Sequence, residues 1–210
     1  MKIKVDLFFF VAIIFFFISK KIEIYLLTMF FIILHEIGHL VLALIFKNKV
    51  NEIKVFFLGC SIKINKLSDL NIERNQKEII NDLLIFLAGP FINILIIIFS
   101  YMYKLDTRII YINLSILLFN LIPIYPLDGG RIIRDIINLF QKNTKSNFYI
   151  SKISYYFLIF LTILSSFFIL IFKNIIIFFI ICLLWSIIVN ENKRYRFFKV
   201  LKKEIYKIYT

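Results

Sequence analysis

From residue 24 to residue 46 the chain is apolar apart from Tyr25, Thr28 and one polar group, His35-Glu36-Ile37-Gly38-His39. A spanning helix needs roughly 20 mostly apolar residues. This stretch therefore restricts the fold more than any other feature: it crosses a bilayer or fills the centre of a large core. Further apolar runs decide for the bilayer. Six spans can be drawn, at about 6–19, 24–46, 79–101, 109–126, 153–172 and 174–190. Of the 210 residues, 61% are hydrophobic, and the mean hydropathy is +0.88. Soluble domains hold only about half apolar residues.

The expected fold is an all-α polytopic membrane protein of six transmembrane helices, with a three-helix core built from spans two to four. It reads as one domain over 1–190, with its core at about 24–140, followed by a basic tail at 191–210. The first run has no small-residue cleavage site before Lys20-Lys21, so it reads as a retained helix and not a leader. Residues 50–66 alternate loosely around Gly59. That pattern predicts a small membrane-associated β-hairpin, with a plain loop as the alternative. An exposed strand edge there would hold a substrate in extended form by backbone pairing.

The net charge of +13 raises the question of nucleic acid, and the placement of the charges answers it. With the N-terminus and C-terminus both cytoplasmic in the six-span topology, 21 of the 26 basic residues fall on the cytoplasmic side. That is the bias membrane insertion imposes, and it needs no nucleic acid. The tail, with Lys193-Arg194-Tyr195-Arg196 and Lys202-Lys203, is expected to lie on anionic lipid of the bilayer. Cys60 and Cys182 are too few for a disulfide framework or a thiolate metal site.

The chemistry concentrates in the second span. The chain has two histidines, and they stand four residues apart. On a helix this spacing puts both imidazoles on one face, where they can hold one metal ion. A third protein ligand and an open position are still needed. Asp128 is the best candidate, because a carboxylate at membrane depth is costly unless paired or metal-bound. Asp82 and Asp6 are weaker rivals. Pro123 and Pro126 break the fourth span just before Leu127-Asp128-Gly129-Gly130-Arg131. Broken backbone at membrane depth is tolerated where it lines a wet or protein-buried site. His35, His39 and Asp128 around Zn²⁺, with Glu36 as the proton carrier, predict hydrolysis of a peptide bond within the membrane. Asn120, at the same break, is a candidate donor to an oxyanion. Asn93 either contacts substrate or bonds another helix. Gly38 suits close helix packing.

These residues carry a likeness. Phe31-Ile32-Ile33-Leu34-His35-Glu36-Ile37-Gly38-His39 resembles the zinc motif of the site-two protease family of intramembrane zinc metalloproteases. Asn120-Leu121-Ile122-Pro123-Ile124-Tyr125-Pro126-Leu127-Asp128-Gly129-Gly130-Arg131 resembles its second motif, in which the aspartate is the third zinc ligand. Ala88-Gly89-Pro90-Phe91-Ile92-Asn93 is similar to a looser signature on the intervening helix. The resemblance implies that Asn120 lies near the scissile region, and that Gly89, Pro90, Pro123, Pro126 and Gly129 shape the site. It implies a membrane-associated protein substrate cut near the cytoplasmic face, and a bacterial cell membrane or forespore-surrounding membrane as the location. The six-span form is similar to the branch that processes sigma-factor precursors in sporulation. That branch usually carries a C-terminal nucleotide-binding regulatory domain, expected to be absent here, so that an inhibitory or regulatory membrane partner would supply control. A zinc transporter and a non-catalytic scaffold are the competing expectations.

Overall fold

The structure is a computed structural model of the chain. It describes residues 2–5, 7–48, 50–56, 59–64, 75–140, 146–172, 181–182, 184–186 and 188–189. The chain divides into two compact units, Met1–Leu121 and Ile122–Thr210.

The first unit holds β1 (Lys2–Val5), α1 (Leu7–Ile18), α2 (Ile22–Ile45), β2 (Val50–Phe56), β3 (Gly59–Ile64), α3 (Gln76–Met102) and α4 (Thr107–Asn120). α1 packs on the start of α2 through Ala12, Tyr25 and Met29, with the Phe16 and Tyr25 rings stacked at 4.6 Å between centroids. α2 and α3 run antiparallel and very close. A Cβ on Gly38 would lie 2.8 Å from both Ala88 O and Ile92 Cγ1, so the missing side chain sets the approach of the two helices. Gly38→Ala should push them apart and cost about 1–3 kcal/mol of stability, as overpacking of a tight contact does. Thermal unfolding in detergent measures this; an unchanged midpoint would contradict it.

The ends of α1, α2 and α3 share one device. Lys20, Lys47 and Lys104 adopt left-handed φ values of 55°, 57° and 50°, where glycine is usual. Each follows its helix by two residues and lets the chain turn back on the last carbonyls, as in the 2.9 Å bonds from Asn48 N to Ala43 O and from Lys47 N to Leu44 O. Asp106 opens α4 by accepting from Arg108 N at 2.8 Å. The Arg108 guanidinium also donates to Asp106 at 2.7 Å and to Glu23 at 3.0 Å, joining the starts of α4 and α2. Arg108 holds the Asp106 carboxyl below the usual carboxylate range.

The second unit holds α5 (Asp128–Phe140) and α6 (Ser146–Phe172), with further helical residues between 181 and 189. Ile124, Leu158, Leu184 and Ile188 form its buried cluster.

Two expectations are corrected. Among the described residues, three helices are long and apolar enough to cross a membrane, not six: Ile22–Ile45, Gln76–Met102 and Tyr149–Phe167. The chain is an integral membrane protein on that count. α1 has 12 residues, about 18 Å at 1.5 Å per residue, against a core about 30 Å thick. α4 has 14 residues and stops at Asn120, because Pro123 and Pro126 cannot extend it. The expected span at 174–190 falls largely outside the described residues, as the tail 191–210 does wholly.

The second correction concerns the strands. Neither an all-α chain nor a lone hairpin forms: Val50–Phe56 and Gly59–Ile64 belong to a three-stranded sheet of order β1-β2-β3. β1 pairs parallel with β2, with Lys2 opposite Glu52 and Val5 opposite Val55, and β2 pairs antiparallel with β3. The signal lay in Lys2-Ile3-Lys4-Val5, which alternates with the period of a strand. Adjacency to a long apolar run hid it.

Outward faces of the helices are apolar. Phe15, Phe17, Ile18, Tyr101 and Met102 are all exposed, as a surface facing lipid requires.

Candidate metal centre

His35 and His39 lie one turn apart on α2 and are 2% and 7% exposed. Their rings stand edge to face at 4.8 Å between centroids, and their Nε2 atoms are 3.2 Å apart. Two nitrogens bound to one tetrahedral zinc at 2.0–2.1 Å lie roughly 3.3 Å apart. The pair is therefore already at the spacing of two ligands.

α3 fixes that geometry. Ile85 O lies 2.6 Å from His39 Nδ1. A carbonyl only accepts, so Nδ1 carries the hydrogen and the Nε2 lone pair points to the metal position. One turn further along α3, Gly89 lies against both imidazoles. A Cβ there would overlap His39 Nε2 and lie 2.7 Å from His35 Cε1. Pro90 follows inside α3 and supplies no amide hydrogen. Glu36 is half-buried on α2 between the two histidines.

In the second unit, Asp128 is the first residue of α5 and is 6% exposed. Pro123 and Pro126 precede it, and Gly129 and Gly130 follow it, all buried or half-buried. One ligand atom from each of His35, His39 and Asp128 lies within 4.8 Å of the other two, and all three side chains are buried. No other group of three metal-ligating side chains occurs among the described residues, and Asp82, though buried on α3, is not in this one. The donor set is two neutral imidazoles and one carboxylate, which suits a divalent cation such as Zn²⁺ and leaves a fourth position open.

The two asparagines differ. Asn120 ends α4, half-buried, and donates one amide hydrogen to Ile116 O at 3.1 Å. Asn93 is fully buried on α3, and its amide nitrogen faces Asn113 O on α4 at 3.5 Å. Asn113, also fully buried, donates to Ile109 O at 2.9 Å. Asn113 was not a sequence candidate. A polar side chain amid the apolar residues of a helix is the sign that could have raised it. The Ile85 carbonyl carries no sequence signal at all, because a backbone acceptor belongs to every residue.

Residues 23–107 and 102–165 match Peptidase family M50. The chain belongs to that family. Among curated relatives it is 26% identical to stage IV sporulation protein FB of Bacillus subtilis over 113 residues, 49% of this chain and 36% of that protein. It is 29% identical to a zinc metalloprotease of Methanocaldococcus jannaschii over 136 residues, 58% of this chain and 37% of that protein. The chain thus spans little more than a third of the length of the curated relatives it matches. Among solved structures it is similar to a site-2 protease from Methanocaldococcus jannaschii, with a TM-score of 0.64 and 22% identity, covering 90% of this chain and 89% of that one. That likeness is one of fold.

Proposed function

We propose that this M50 chain is an intramembrane zinc metalloprotease that hydrolyses peptide bonds of membrane-associated proteins. The observation that carries the reading is the buried group His35, His39 and Asp128, with Glu36 beside it on a helix apolar enough to span a bilayer. When bound, zinc supplies Lewis acidity, which acidifies water and polarises the scissile carbonyl. His35, His39 and Asp128 would hold it, and Ile85 O keeps His39 in the ligating tautomer. Glu36 accepts a proton from the attacking water as the new carbon–oxygen bond forms. It returns that proton to the amine as the carbon–nitrogen bond breaks. The second amide hydrogen of Asn120 is available to a developing oxyanion. Asn93 holds α3 to α4 in this scheme and does not touch substrate.

Residues 47–78 carry seven basic side chains, whereas the opposite ends of α2 and α3 carry Lys20, Lys21 and Lys104. We therefore put the α2–α3 connection in the cytoplasm. We assign the N-terminus to the same side, a reading supported by the pairing of β1 with β2. The tail 191–210, with seven basic residues, is assigned to the same face. His39 stands six residues before the end of α2, about 9 Å along the axis, which sets hydrolysis nearer the cytoplasmic face. The whole of 1–190 serves as one protease domain with its core at 24–140. The Bacillus relative's name extends the proposal to a sporulation setting; a sigma-factor precursor as substrate and a membrane partner that restrains the enzyme extend it from the motif resemblance.

Purified protein in detergent, given a membrane-tethered reporter, tests the reading. It should hold one zinc per chain and lose cleavage on chelation. Asp128→Asn should lower zinc affinity by on the order of 100-fold. Full cleavage by metal-free protein would end the proposal.

A further inference from the structure

The reading above makes Asp128 a metal ligand, and the second unit shows what holds it in place. Asp128 follows a tight turn in which Leu127 N donates to Ile124 O at 2.8 Å. Every part of that turn is gripped. The Ile124 side chain is fully buried in the cluster with Leu158, Leu184 and Ile188. The Tyr125 amide donates to Ser154 Oγ on α6 at 3.0 Å. Ser154 is itself buried. The Ile124–Tyr125 peptide lies flat on Gly130, where any Cβ would collide with it. The Arg134 guanidinium sits over the Tyr125 ring, 5.5 Å from its centroid.

Arg134 is one of the costliest residues in the unit. It is 9% exposed on α5, and its Nε donates at 3.0 Å to Asp135, whose side chain is fully buried. A buried ion pair is weak evidence for stability, because desolvation of both ions opposes it. It is retained where it fixes one arrangement against others. Here the pair presents a flat cation to Tyr125, three residues before the ligand.

We propose that Ser154 and Arg134 are positioning residues of the metal centre. Ser154 holds the backbone of the Ile124–Leu127 turn and Arg134 holds its Tyr125 ring, so that together they set where α5 begins and where the Asp128 carboxylate stands. α6 then controls the third ligand through one hydrogen bond. The proposal rests on Asp128 being that ligand.

The test uses the full chain in detergent, with zinc affinity measured against a competing chelator and the ligand-field bands of the cobalt(II)-loaded protein recorded alongside. Ser154→Ala removes the acceptor for the Tyr125 amide. Arg134→Lys keeps the charge beside Asp135 and loses the planar group over Tyr125. Each should weaken zinc binding about tenfold, the lower range for losing a partner that orients a ligand. Each should also shift the cobalt bands, which a loss of global stability alone would not do. Ser154→Thr restores the hydroxyl and should bind zinc within about threefold of the parent. Wild-type affinity and unshifted bands in both Ser154→Ala and Arg134→Lys would overturn the proposal; if Ser154→Ala does not fold, Arg134→Lys decides by the same criteria. Asp128→Asn separates the two levels. If it keeps zinc, the metal reading itself fails. If it loses zinc while the other two variants keep it, only the positioning role fails.

Discussion

Glu36→Gln should leave zinc bound and the fold intact while lowering kcat/KM on a membrane-tethered substrate by about 10²–10⁴-fold, the range for removing a general base. Glutamine keeps the size of the side chain and its place on α2 but cannot accept the water's proton. Because Glu36 is not one of the three buried side chains grouped around the metal position, its loss should leave zinc stoichiometry unchanged. The measurement pairs metal analysis with cleavage kinetics on the same preparation. Retained cleavage would remove Glu36 from the reaction. Lost cleavage together with lost zinc would recast it as a support of the site.

Gly89→Ala should have the largest effect on the metal itself. The new methyl would occupy the space of the His39 ring and press on His35. His39 cannot retreat without giving up its 2.6 Å bond to Ile85 O, and α3 cannot retreat without opening the contact at Gly38. Both escapes break something that fixes the ligand pair. Zinc affinity should fall by on the order of 100-fold or more, the upper end for a lost orienting partner. Gly38→Ala is the control. It strains the same helix pair one turn away, so it should reduce stability more than it reduces zinc affinity. Equal zinc affinity in Gly89→Ala and the parent protein would show that the imidazoles have room that the structure denies them.

The histidine pair was legible because helical spacing is local: four residues on α2 decide one face, whatever else the chain does. Asp128 was legible for another reason, since a carboxylate in an apolar chain needs an explanation wherever it ends up. What sequence could not supply was cross-helix contact. Gly89 and Gly38 look alike on the page, yet one touches the imidazoles and the other touches backbone. Nor could sequence show that Asn93 is fully buried while Asn120 is half-buried. Span counting failed where hydropathy continued past the end of a helix. The apolar run at 109–126 is long enough to cross, but its prolines end α4 at Asn120. β1 failed for the opposite reason, being four residues long and charged at every second position.

β1 also dictates an order of events. Its partner lies 50 residues downstream, from Lys2 to Glu52, and the pairing is parallel, so no local turn can bring the two together. Both α1 and α2 must leave the ribosome before the first ladder rung has a second rail. The sheet can therefore close only after both helices have been synthesised.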